Sequence, residues 1–220
     1  MLQLPIHVID FEGSRESGVL EYGVVTLRDG TIESVRTRLC AATGRIRDQD
    51  RRQHGISESQ LSGLPPFAED WDYFAGLRQS GPLCAHSAAV EDGLLRAIWP
   101  YARRSPDFGR AGESVLSWGP WLDTLQLYRR LYPDLESHKL ADLIERFGLV
   151  DALAAQAKQH CPEKRARYHC ALYDSLASAL LLLRLFAEPA LKDRSLHWWL
   201  LESTASGPDR EARGQGGLFE

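Results

Sequence analysis

The first forty residues read as three β-strands joined by short turns, and no later stretch does. Residues 2 to 11 form an apolar run with Pro5 near its start, where a missing N–H costs least. Residues 19 to 27 are a second run, closed by Arg28-Asp29-Gly30, and an Asp-Gly pair at such a place signals a hairpin. Residues 31 to 39 alternate apolar and polar, the period of a half-buried strand. A chain that opens as an antiparallel meander and then alternates strands with helices folds as an α/β protein. The expected architecture is a mixed sheet with helices on its faces.

The remainder supplies that alternation. Residues 41 to 55 are rich in Arg, Asp and Gln and read as a loop, and Ser57 opens a short capped helix. Pro65-Pro66 starts a helix with Phe67, Trp71, Phe74 and Leu77 on one face, broken by Gly81-Pro82. A short buried strand at 83 to 86 leads into a helix over about 90 to 101. Residues 103 to 117, rich in Arg, Ser, Pro and Gly, read as a mobile loop. Residues 121 to 123 are a strand, and helices follow at 124 to 131, 139 to 147, 151 to 159, 170 to 186 and 191 to 202. From Ser203 the chain is polar and Gly-rich and reads as disordered. The expected domains are therefore a body over 1 to 202 and a flexible tail over 203 to 220.

A length of 220 residues suffices for one domain with a real core. The net charge of −4 excludes a broad basic surface of the kind that gives non-specific DNA affinity. It does not exclude a nucleic-acid substrate gripped through metal ions. Four cysteines without Cys-x-x-Cys spacing give no zinc site and no disulfide framework, which suits a reducing cytoplasm. No apolar run is long enough to span a bilayer, so no membrane association is expected.

Two places carry chemistry. Asp10 and Glu12 stand two apart at the end of the first strand, so both face one side of it. Two carboxylates on one face repel unless a cation lies between them, and a divalent metal is the simplest. Far along the chain, His169 and Asp174 are five apart, a spacing that parts them around a continuous helix. The helix is expected to begin after His169, leaving a histidine on the loop and a carboxylate in the first turns. That pair suits general-base catalysis beside a metal.

Asp10-Phe11-Glu12, then His86-Ser87-Ala88-Ala89-Val90-Glu91, then His169-Cys170-Ala171-Leu172-Tyr173-Asp174 resemble the three motifs of the DnaQ-like, DEDDh 3′–5′ exonuclease superfamily. The layout is similar to exonuclease X and to bacterial proofreading subunits. Glu21-Tyr22-Gly23, His54-Gly55-Ile56-Ser57 and Asp123-Thr124 add to it. The resemblance covers residues 5 to 187 and implies an RNase H-like fold with a five-stranded sheet. It implies Asp10, Glu12, Glu91 and Asp174 as ligands of two Mg²⁺ or Mn²⁺ ions and His169 as the base. In the sister tyrosine subtype the base lies four residues before the last Asp; here that position is Cys170, which favours the histidine subtype. The second motif departs from the family: Glu91 stands where Asp is usual, and Asp92 beside it is the alternative ligand.

What the resemblance implies is hydrolysis of nucleoside 5′-monophosphates from DNA 3′ ends, single-stranded DNA being favoured. Two alternatives stand beside it: an exoribonuclease acting on short RNA or RNA ends, and a catalytically silent RNase H-like binding module. Phe11, Gly13, Ser14, His54, Arg165 and Arg167 are candidates for substrate contact, while His86 reads as structural. Gln215, Leu218 and Phe219 in the tail resemble the peptide that docks bacterial proteins on the sliding clamp, two apolar anchors on a tether. The resemblance admits a homodimer, though the sequence carries no dimer signature.

Overall fold

The structure, a computed structural model, describes residues 4–204. β1 (Ile6–Ser14), β2 (Gly18–Arg28) and β3 (Thr31–Leu39) form the expected meander. Next come α1 (Asp48–His54), α2 (Glu58–Leu61), a 3₁₀ turn at Phe67–Asp70, and α3 (Trp71–Ser80). β4 (Leu83–Ala85) leads to α4 (Ala88–Ile98), and a small hairpin of β5 (Ser105–Pro106) and β6 (Ser114–Val115) precedes β7 (Trp121–Asp123). The chain ends in α5 (Thr124–Leu131), α6 (Leu140–Arg146), α7 (Val150–His160), α8 (Ala171–Ala187) and α9 (Leu196–Glu202). β4 runs parallel to β1, and β7 parallel to β4, giving the order β3-β2-β1-β4-β7. This is the RNase H-like mixed sheet.

Alternation along β1 and β2 divides the core. Ile6, Val8, Val25 and Leu27 face α5 to α9, whereas Ile9, Phe11, Tyr22 and Val24 face α3 and α4. On the second face Phe11, Tyr22, Phe67 and Phe74 pack with ring centroids 4.8–5.9 Å apart. On the first face α8 lies against β2 at Gly23, where a Cβ would come within 2.4 Å of the Ala171 and Leu172 backbone. Only a residue without a side chain admits so close a helix. Ser175 Oγ donates to Gly23 O at 2.9 Å and fixes the contact.

Several local expectations are corrected. Residues 48 to 54 are helical, although they bury only His54. Their helix rests on charge order instead, with Asp48 and Asp50 in the first turn and Arg51, Arg52 and His54 in the last. The stretch 103 to 117 contains the β5–β6 hairpin. Buried Arg78 anchors it by donating to the carbonyls of Pro106, Ser117 and Gly119. Pro66 opens a 3₁₀ turn rather than the α-helix itself. The last helix begins at Leu196, and Leu191 is buried in the turn before it. Ser203 is buried and donates through Oγ to Trp199 O, so ordered chain reaches past 202. The tail peptide of Gln215, Leu218 and Phe219 lies outside the described residues. Among those residues all four cysteines are free, and no helix is long and apolar enough to cross a membrane.

Candidate active site

Asp10 and Glu12 project from the end of β1 on the α8 side of the sheet, Glu12 buried and Asp10 partly so. A β-bulge after Glu12 ends the regular ladder. Gly13 occupies it at φ +136°, and a Cβ there would lie 2.2 Å from Gly18 O. The glycine therefore serves strand geometry. Ser14 is held by Ser17, whose Oγ accepts from Ser14 N–H and whose N–H donates back to Ser14 Oγ.

α4 brings Glu91 to the same end. Its first turn is fixed by Asp123, which accepts from Ser87 N–H at 3.1 Å and Ala88 N–H at 3.0 Å while capping α5 through Gln126 N–H. Glu91 is buried at 4% exposure and accepts from the Phe11 backbone N–H. Asp92 points elsewhere, accepting from Trp121 Nε1 at 3.0 Å and pairing with Arg96. Of the two acids in the second motif, Glu91 faces the other carboxylates.

α8 supplies the third segment. His169 sits on the loop before it at φ +61°, and Cys170 is the N-cap position, as the five-residue spacing required. His169 N–H donates to Asp174 Oδ2 at 3.0 Å. Glu12, His169 and Asp174 each offer an atom within 4.8 Å of the others. His86 is structural, bonded to Thr124 Oγ1 and to His138 O.

Burial and mutual repulsion raise every one of these carboxylates. Burial followed by Asp174 and Glu21 pushes Glu12 up to about 8, and burial pushes Asp174 up to about 7. Asp10 and Glu91 are likewise raised well above the carboxylate range, by burial and then by their acidic neighbours, chiefly Glu91 on Asp10 and Glu12 on Glu91. Glu91 Oε2 and Asp174 Oδ1 are buried with no hydrogen-bond partner. Buried acceptors without donors, among four crowded acids, fit a hard divalent cation with oxygen ligands.

The nearest arginine is occupied. Glu12 stands opposite Glu21 across the β1–β2 ladder, a like-charge pairing that is unfavourable alone. Arg165 answers it with a two-pronged ion pair to Glu21, both side chains largely buried, and donates to His54 O at 2.7 Å. Glu21 also accepts from Ala171 N–H at 2.9 Å, at the start of α8. Arg165, read from sequence as a phosphate contact, is thus a brace. His54 is corrected too: at 2% exposure its Nδ1 accepts from Ile56 N–H, and its carbonyl takes Arg165 and Arg167. Phe11 is a core residue, 7% exposed. Of the proposed substrate contacts, Arg167 remains exposed beside Glu12. Sequence reasoning matched Glu21 and Asp123 to the resemblance without giving either a role, and it missed Gln53, whose amide Nε2 lies 3.1 Å from His169 Nδ1. The Glu12–Glu21 opposition was the available signal: a hairpin register that faces two acids calls for a cation.

An RNase H-like sheet with acids from three distant segments at one end of it is an architecture that the chain shares with solved exonucleases of the DEDDh class. Two solved structures carry the fold comparison. Exonuclease X in complex with 5′-overhanging duplex DNA superposes with TM-score 0.60 at 21% identity, over 89% of this chain and 99% of that one. The nuclease domain of 3′hExo, a DEDDh family member bound to rAMP, gives TM-score 0.59 at 18% identity, over 84% and 92%. In sequence, the PolC-type DNA polymerase III of Streptococcus suis is 30% identical over 142 residues, 64% of this chain and 8% of that protein. The chain thus spans about a tenth or less of the length of that curated relative. No family model matches it.

Proposed function

We propose that this protein is a metal-dependent 3′–5′ exonuclease that removes nucleoside 5′-monophosphates from DNA 3′ ends. The convergence of Asp10, Glu12, Glu91 and Asp174 with His169 at one end of the sheet carries this reading. The kinship with PolC-type DNA polymerases supports DNA as the substrate. The four carboxylates are the ligands for two Mg²⁺ or Mn²⁺ ions. Such ions, when bound, activate the attacking water and neutralise charge at the phosphate and the leaving oxygen.

The chain's own residues do the rest. His169, exposed on its loop and tied through its backbone to Asp174, takes the proton from the attacking water. Asp123 sets the start of α4 and so the position of Glu91. Glu21 and Arg165 hold the segment that delivers His169. Arg167, beside Glu12, is the side chain available to meet a substrate phosphate.

The test uses 5′-labelled DNA and RNA oligonucleotides of one sequence, each with Mg²⁺, Mn²⁺ or EDTA, beside Asp10→Ala. A ladder shortening from the 3′ end, absent with EDTA and in the variant, is the expected result, with DNA the faster substrate. Faster RNA digestion would reassign the substrate to RNA. No ladder from folded protein in either metal would replace the enzyme with a silent binding module.

A further inference from the structure

α1 has an unexpected neighbour. Gln53, exposed on its last turn, brings its amide Nε2 to 3.1 Å from His169 Nδ1 although 116 residues separate the two. The approach is built from both sides. The carbonyl of His54, the residue after Gln53, accepts from Arg165 at 2.7 Å and from Arg167 at 3.3 Å. Both arginines belong to the segment that carries His169, and Arg165 is pinned in turn to Glu21 on β2. The end of α1 and the loop before α8 are thereby braced as one unit, with Gln53 and His169 face to face.

We propose that Gln53 is a positioning residue for catalysis, holding the His169 ring through Nδ1 so that Nε2 is the nitrogen that receives the proton. Nε2 has no protein partner among the described residues. A neutral imidazole carries its proton on one nitrogen only, and the partner of that nitrogen selects which. A glutamine amide offers either a carbonyl or an N–H, so it can face the ring in two ways. With Oε1 towards the ring, Nδ1–H donates to Gln53 and Nε2 is left with its lone pair. When Nε2 then takes the proton from water, the ring becomes the cation and Nδ1–H keeps the same acceptor. With the amide nitrogen towards the ring, as it stands in this structure, Nδ1 accepts and the proton sits on Nε2, which is then no base. The carbonyl-facing arrangement is the productive one, and a half-turn of the Gln53 amide about its last torsion reaches it from the arrangement in this structure.

This inference rests on the reading of His169 as the base. The experiment measures kcat and KM on a labelled DNA oligonucleotide at saturating metal for Gln53→Ala, Gln53→Glu, His169→Ala and the double variant Gln53→Ala/His169→Ala. Gln53 is exposed, so Gln53→Ala should melt within about a degree of the wild type. Its kcat should fall by about 10–100-fold with little change in KM, the scale on which a histidine's orienting partner acts. Gln53→Glu, which can only accept from Nδ1–H, should recover most of that loss. In the His169→Ala background, Gln53→Ala should cost nothing more, since the two act as one unit. An equal loss in both backgrounds, a loss confined to KM, or a Gln53→Glu variant as poor as Gln53→Ala would overturn the inference and leave the exonuclease reading standing. Full activity in His169→Ala would overturn the assignment of the base, and this inference with it.

Discussion

At Glu12 the folded, metal-free chain holds a proton that the unfolded chain releases. The group's ordinary value is 4.5, and in the fold it stands at about 8; Asp174 moves the same way, to about 7. Between the two values the folded state binds more protons, so stability is fully present below about pH 4.5 and is lost as pH rises towards 8. Glu12→Gln removes that penalty. In EDTA at pH 8 the variant should melt several degrees above the wild type, on the order of 2 kcal/mol, and the gap should close near pH 5. Its nuclease activity should be gone. A variant no more stable than the wild type at pH 8 would mean that the carboxylates do not repel as their burial implies. Arg165 gives the opposite case. Arg165→Ala leaves buried Glu21 without its ion-pair partner and should cost about 3–5 kcal/mol in chemical denaturation. A surface phosphate contact would cost almost nothing.

Among elements, α8 matters most, because it carries Asp174 and follows His169. Its seat on β2 depends on Gly23. Gly23→Ala drives a methyl into the Ala171–Leu172 backbone and should lower stability by at least about 1–3 kcal/mol. Activity should fall further than stability alone explains, a difference read by assaying well below the melting point. The elements also show what was legible in the chain. β1 and β2 announced themselves as apolar runs, the second closed by an Asp-Gly turn, β3 by its alternation and α8 by its apolar length; β1, β2 and α8 bury most of their residues. α1 stayed hidden because it buries one residue and stands on charge order and i,i+3 pairs of Arg47 with Asp50 and Arg51 with Asp48. The four carboxylates and the histidine could be read locally, motif by motif. Glu21, Arg165 and Gln53 could not, since each acquires its role from a partner more than a hundred residues away.

Across the whole molecule, divalent metal and fold should stabilise each other. The four acids come from β1, α4 and α8, on both faces of the sheet, and they are crowded together only where all three segments meet. Mn²⁺ or Mg²⁺ should raise the melting temperature, more at pH 8 than at pH 5, where protons already occupy the oxygens. Asp10→Ala should blunt that shift. The tail is a separate matter: the resemblance of Gln215, Leu218 and Phe219 to a clamp-docking peptide predicts that the intact protein binds a sliding clamp and that deleting residues 214 to 220 abolishes this while sparing digestion of free oligonucleotides, outcomes that pull-down and ladder assays read independently.

The contact between Glu21 and the Ala171 N–H spans 150 residues of sequence. It has a meaning for the chain while it is being made. A ribosome releases β1 and β2 long before it releases α8, and until α8 is out neither His169 nor Asp174 exists to complete the centre. The growing polypeptide therefore lacks the proposed centre until α8 has emerged. The cluster of acids forms in one step, when the far segment of the fold closes over the near one.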